Sequence, residues 1–171
     1  MAPPPELTGP RLGLVPCTAE HHARLRELHL APEVRRWWYD PSDDFPPPAD
    51  LPGGANYTVM VDDRIIGFAQ WYEDSDPTFR HAGLHLFLEP AVHGQGLGLE
   101  TVRVLCAHLI DDHGFHRIVA EPEVENETSI ACFREAGFQS VGVVREYLRD
   151  PSGVWKDGML LDLLAKEFVR D

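Results

Sequence analysis

The chain has 171 residues, 43% of them apolar and 25% charged, about one domain's worth and enough to build a core without disulfide or metal staples. Fifteen Lys and Arg against 28 Asp and Glu give a formal charge of −13, which argues against nucleic acid and an anionic membrane surface and suits a cationic partner. No apolar run approaches the ~20 residues of a membrane span. Cys17, Cys106 and Cys132 form no CxxC pair. Met1 to Pro10 is proline-rich and lacks the basic-then-apolar order of a secretory signal, so a soluble, cytoplasmic protein is expected. Residues 1–10 are expected to be a flexible segment and 11–171 one domain.

Arg11 to Val15 reads as a short strand. Thr18 can cap a helix running to about Leu30, and Pro32 suits the first position of a second helix carrying Trp37 and Trp38. Asp40 to Gly54 holds five prolines, four aspartates and two glycines, which marks a long loop of functional type. Asn56 to Val61 and Arg64 to Tyr72 form a predicted hairpin around Asp62-Asp63, followed by a strand over Ala82 to Leu88. A glycine loop then opens a helix reaching about Asp112. Arg117 to Glu121 reads as a strand closed by Pro122, and Asn126 caps a helix that ends at Gly137. Two last strands, about Phe138 to Leu148 and Val154 to Leu164, flank an Asp150-Pro151-Ser152-Gly153 turn. Helices set between strand-rich ends give a single α/β domain on a mixed sheet.

The loop His93-Gly94-Gln95-Gly96-Leu97-Gly98 is the most informative segment. Glycines after a strand and before a helix let backbone N–H groups approach a phosphate, where the helix start adds partial positive charge. A nucleotide-triphosphate loop needs Lys-Ser/Thr after its last glycine, and Leu99-Glu100 stand there instead. The dinucleotide fingerprint fails as well, because the sixth position from Gly94 is Leu99.

The remaining pattern resembles the acetyl-CoA pyrophosphate loop of the GNAT superfamily of N-acetyltransferases, Gln/Arg-x-x-Gly-x-Gly/Ala, with His93 in place of the first residue. Asn126-x-x-Ser129-Ile130 followed by Phe133-Arg134-Glu135-Ala136-Gly137-Phe138 resembles a second element of that superfamily, in the same order. The resemblance covers nearly the whole chain from Arg11. It implies an α+β fold, with a mostly antiparallel mixed sheet of six to seven strands and about four helices. It also implies acetyl-CoA as co-substrate, held by Phe87, Leu88, His93, Gly94, Gln95, Gly96, Leu97, Gly98, Asn126 and Ser129, and direct acetyl transfer to an amine.

An alkylammonium acceptor with a pKa of ~10 must lose a proton before it attacks. His85, Glu121 and Glu123 are the candidate bases. His85 alternates with Leu84 and Leu86 and so points to the face opposite those leucines. Many relatives have a tyrosine acid where Phe133 stands, leaving Ser129, Tyr147 or water to protonate the departing thiolate. Glu121, His85 and Ser129 are the catalytic expectations. His108, His113 and His116 do not fall on one helical face, and no metal site is expected.

The Trp37-Trp38 pair, Gly67-Phe68-Ala69-Gln70 and the Gly83-x-His85 strand resemble aminoglycoside 6′-N-acetyltransferases. That resemblance implies a small polycationic acceptor gripped by Trp37, Trp38, Asp40, Tyr72, Glu73, His85, Glu121, Glu123 and Asp157. Alternative acceptors are a siderophore lysine and a protein N-terminus, and a non-catalytic acyl-CoA-binding module is the reading from another class. A monomer or a homodimer is expected.

Overall fold

The structure, a computed structural model, describes residues 3–170. Its strands are β1 (Leu7–Thr8), β2 (Gly13–Pro16), β3 (Asp50–Leu51), β4 (Gly54–Val61), β5 (Arg64–Asp74), β6 (His81–Leu88), β7 (Arg117–Ala120), β8 (Gln139–Arg149) and β9 (Trp155–Leu164). The helices are α1 (His22–His29), α2 (Pro32–Trp38), α3 (Leu97–Asp111) and α4 (Glu127–Glu135), with short 3-10 turns beside them. One nine-stranded sheet runs in the order β1-β2-β4-β5-β6-β7-β9-β8, and β3 pairs with β4. Every pair is antiparallel except β6 with β7.

Seven of the strands answer the six to seven expected, and β1 and β3 raise the total to nine. Within residues 1–10, Leu7 and Thr8 pair with Leu14 and Gly13 along the sheet edge. Residues 1–2 of that segment lie outside the described residues. The first long helix begins as a 3-10 turn at Ala19–His21, where Thr18 and His21 form a reciprocal capping box, before α1 proper.

Strand alternation divides the core in two. Tyr57 and Val59 of β4, Ala69 and Trp71 of β5 and Leu84 and Leu88 of β6 face α3, where they meet Leu97, Val102, Leu105, Cys106 and Leu109. On the other face, Phe68 of β5 and Phe87 of β6 pack with Leu25, Leu28 and Val34 of α1 and α2. Buried His29 joins that second cluster, with ring centroids 4.6 Å from Phe45 and 5.8 Å from Trp38, and burial pushes its pKa down. At the end of β6 the buried carboxylate of Glu89 takes Arg24 of α1 at 2.8 Å and Arg64 of β5, so the carboxylate enters the interior already paired.

The feature that positions the site is the parting of β6 from β7. Among the described residues these parallel strands pair only at Ala82 with Ile118 and Gly83 with Val119. Beyond those pairs β6 continues to Leu88 beside β5, while β7 ends at Ala120. The parting leaves a gap in the middle of the sheet, with Glu121 at its lip.

Candidate active site

The loop after β6 has the form its glycines suggest. Gly94 (φ 76°) and Gly96 (φ 77°) adopt left-handed conformations that residues with a Cβ disfavour, and Gly96 is the N-cap of α3. Leu97 is buried in the main core and anchors the helix, while 93–96 are exposed. Gly98 faces α4, with Cys132 Sγ 3.6 Å from where its Cβ would stand. The amides of an exposed loop and a fifteen-residue helix start are thereby available to an anion, and the residues present fit a diphosphate.

His93 ties one ring nitrogen back to the end of β6. Its Nε2 lies 2.9 Å from Leu88 O, which as a carbonyl can only accept, so Nε2 carries the proton. Gln95 donates from Nε2 to Ala91 O at 3.2 Å.

Main-chain direction along β6 follows from its ladder with β5. Glu89 N–H donates to Ile66 O at 2.7 Å, and the partners Phe68/Phe87 and Gln70/His85 fall in the same alternation. Phe87 therefore directs its main chain to β5, and its ring lies in the second core cluster. Leu86 and Leu88 turn theirs to the gap. Of the expected pair Phe87 and Leu88, only Leu88 turns its main chain to the gap, as Leu86 does.

Across the gap, three tyrosines meet two carboxylates. Tyr72 Oη donates to Glu121 Oε2 at 3.2 Å and Tyr147 Oη to the same oxygen at 2.6 Å, while Tyr39 Oη donates to Glu123 Oε1. Tyr72 can lie there only because its strand partner is Gly83: a Cβ at 83 would stand 2.1 Å from the Tyr72 ring. Tyr147 is delivered by an irregularity in β8 between Val144 and Leu148. There Glu146 takes φ 50°, Asp157 Oδ1 accepts the Glu146 N–H at 2.8 Å, and Gly158 makes room for the Tyr147 ring. Tyr39 takes φ 59°, a conformation that costs a non-glycine residue roughly 1–3 kcal/mol and turns the ring toward Glu123.

His85 sits between these groups, with its ring centroid 5.4 Å from Tyr72 and 6.2 Å from Trp38. The ring is open to the cleft and crowded elsewhere by protein. Desolvation pushes its pKa below the ordinary histidine value and Glu121 acts in the opposite sense. Burial first, then the contact with Glu121, raises the pKa of the Tyr72 and Tyr147 hydroxyls. Tyr147, expected as a possible acid, is therefore poorly suited to giving up its proton and instead donates a hydrogen bond to Glu121.

The other expected residues are dispersed. Trp37 is covered by the Arg36 guanidinium, 4.6 Å from its ring, and Asp40 pairs with Arg35 at the surface. Glu73 bonds Arg80 at 2.7 Å on the sheet face opposite Tyr72. Asp157 supports the β8 irregularity. Asn126 Oδ1 accepts the Ser129 N–H at 3.2 Å, a helix cap. Phe133 is buried against Phe138. His108 bonds Asp112 at 2.6 Å and His113 at 3.1 Å, and among the described residues no group of three or more His, Cys, Asp or Glu is placed to hold a metal ion. Tyr39 was not among the sequence expectations. Its signal was slight, an aromatic directly after Trp37-Trp38 at a helix end.

Comparison with known proteins gives the fold and the family. A probable N-acetyltransferase of Bacillus subtilis, YjcK, is 30% identical over 103 residues, 60% of this chain and 56% of that protein, so the chain spans little more than half the length of this curated relative. The solved structure of Mycobacterium smegmatis RimJ with CoA-disulfide superposes with a TM-score of 0.83 at 18% identity, covering 100% of this chain and 93% of that one. The aminoglycoside acetyltransferase AAC(6′)-Ib with paromomycin and acetyl-CoA gives 0.75 at 24% identity, covering 94% and 98%. The model of the acetyltransferase (GNAT) domain family matches residues 11–139, the stretch that holds the glycine loop, the parted strands and both carboxylates, and the chain belongs to that family.

Proposed function

We propose that this chain transfers the acetyl group of acetyl-CoA directly to an amino group of a small polycationic acceptor of the aminoglycoside type. The observation that carries the reading is the junction of Glu121, Glu123 and His85 at the lip of the β6–β7 gap, opposite main-chain groups of Leu86 and Leu88. In a protein of charge −13, the anionic diphosphate is received by the 94–98 amides, and the cationic acceptor by the carboxylates.

Both Tyr72 and Tyr147 donate to Oε2 of Glu121, which leaves Oε1 to face an ammonium. His85, neutral at pH 7 because desolvation lowers its pKa, accepts the proton the ammonium must lose, and Glu121 stabilises the imidazolium formed. The freed amine attacks the thioester carbonyl carbon while Leu86 or Leu88 N–H bonds the developing oxyanion. The C–S bond then breaks, and the second proton shed by the attacking nitrogen passes to the departing sulfur. A thiolate of pKa ~8.5 leaves without a protein acid, so Phe133 is no obstacle.

A protein N-terminus is the second reading, in keeping with the superposition on a ribosomal-protein-S5-alanine acetyltransferase of Vibrio fischeri, with a TM-score of 0.80 at 16% identity, covering 98% of this chain and 100% of that one. Thiol release from acetyl-CoA, measured with a panel of aminoglycosides and with a short peptide bearing a free N-terminus, decides between them. Release with the aminoglycosides supports the proposal, and release with the peptide alone replaces it with the second reading. No release while CoA still binds leaves a non-catalytic acyl-CoA module.

A further inference from the structure

The glycine loop is fastened from outside its own segment. Arg11, between β1 and β2, donates its backbone N–H to Glu100 Oε1 at 2.6 Å and its Nε to Glu100 Oε2 at 2.7 Å, and its Nη1 reaches Gln95 O at 2.9 Å. Nη2 stands 3.3 Å from the position a Cβ on Gly96 would occupy. One side chain thus joins the loop carbonyl at 95 to the first turn of α3 and lays its charge beside Gly96.

Glu100 makes that charge necessary. A carboxylate in the first turn stabilises a helix start. The same carboxylate, with only 10% of its side chain accessible, sits next to the place where a doubly charged anion must arrive. His93, the loop's other ionisable side chain, is tied to Leu88 O.

We propose that Arg11 is the positioning residue of the diphosphate site, which neutralises Glu100 and fixes the Gln95–Gly96 peptide so that the loop amides can receive the anion. This inference rests on the reading of the loop as the acetyl-CoA site, and CoA itself is the probe. Calorimetric titration of the full chain with CoA, beside thermal melting of the free protein, is the experiment. Arg11→Gln is expected to weaken CoA about tenfold. Arg11→Gln/Glu100→Gln, with the repelling carboxylate removed, is expected to return to within about threefold of the parent even if its melting temperature stays low. Arg11→Lys, which keeps the charge and loses the fork to Gln95, is expected to fall between the two and carries the test if the glutamine variant does not fold.

Parent protein that binds CoA while Arg11→Gln binds it equally well overturns this inference and leaves the loop reading intact. Failure of the double variant to regain affinity overturns it too, because a brace serving only the fold would not respond to the charge at 100. Parent protein that does not bind CoA overturns the loop reading and this inference together.

Discussion

In the loop between Leu88 and α3 the groups proposed to receive the diphosphate are main-chain N–H of one continuous segment, whereas the cleft proposed to receive the cationic acceptor is built of side chains drawn from positions 39, 72, 85, 121, 123 and 147. The loop depends on its backbone conformation and is sensitive to a Cβ at glycine. The cleft depends on four strands and one helix end holding their registers, and is sensitive to the loss of individual hydroxyl, imidazole or carboxylate groups. Variants should therefore separate into two kinetic classes, with loop changes acting on acetyl-CoA affinity and cleft changes on turnover.

The largest effect is expected at His85. His85→Ala should lower kcat on the order of 10²-fold at pH 7 with the KM for acetyl-CoA unchanged, and activity should recover as pH rises and the amine deprotonates unaided. Because the His85 pKa is lowered and the neutral form is active, the acid limb of kcat/KM for the parent should have its midpoint below the ordinary 6.5. Glu121 raises that pKa, so the limb should move further down in Glu121→Gln. A pH–rate series on the three proteins checks both statements, and a limb above 6.5 would remove His85 as the base.

Next comes Gly83→Ala, whose Cβ meets the Tyr72 ring in the cleft. Overpacking of this kind costs about 1–3 kcal/mol, so both melting temperature and turnover should fall. Gly94→Ala isolates the other region, since nothing lies within 4 Å of the added Cβ and only the left-handed backbone resists it. A penalty of about 1–2 kcal/mol predicts a KM for acetyl-CoA raised about tenfold at constant kcat. A fall in kcat instead would join the two regions into one. Tyr147→Phe, which removes one of two hydroxyls on Glu121 Oε2 at a solvent-exposed position, should cost only about threefold in kcat.

The same contrast governs what could be read from the sequence. Six contiguous residues define the loop, so its glycines and the following helix were legible without tertiary information. His85 was legible in direction because two leucines flank it on an alternating strand, and Glu121 because Pro122 ends that strand. Tyr72 and Glu73 were both expected to grip the acceptor, although neighbours on a strand face opposite ways. The structure sends Glu73 to Arg80. Delivery of Tyr147 depends on an irregularity in β8 and on Asp157 capping Glu146, and no periodicity announces either. The two-residue strands β1 and β3 are too short to carry an alternation and are held by their partners.

The parting of β6 from β7 has a consequence for how the molecule breathes. Amides at Leu86 and Leu88 belong to a central strand yet lack a ladder partner on the β7 side, so they should exchange with heavy water far faster than their neighbours bonded to β5. A sheet with such a seam is stiff at both flanks and soft along one line, and a ligand inserted there would act as the missing strand. Occupancy of the seam would then be visible as slowed isotope uptake at two leucines, whichever amine the proposed transfer acetylates.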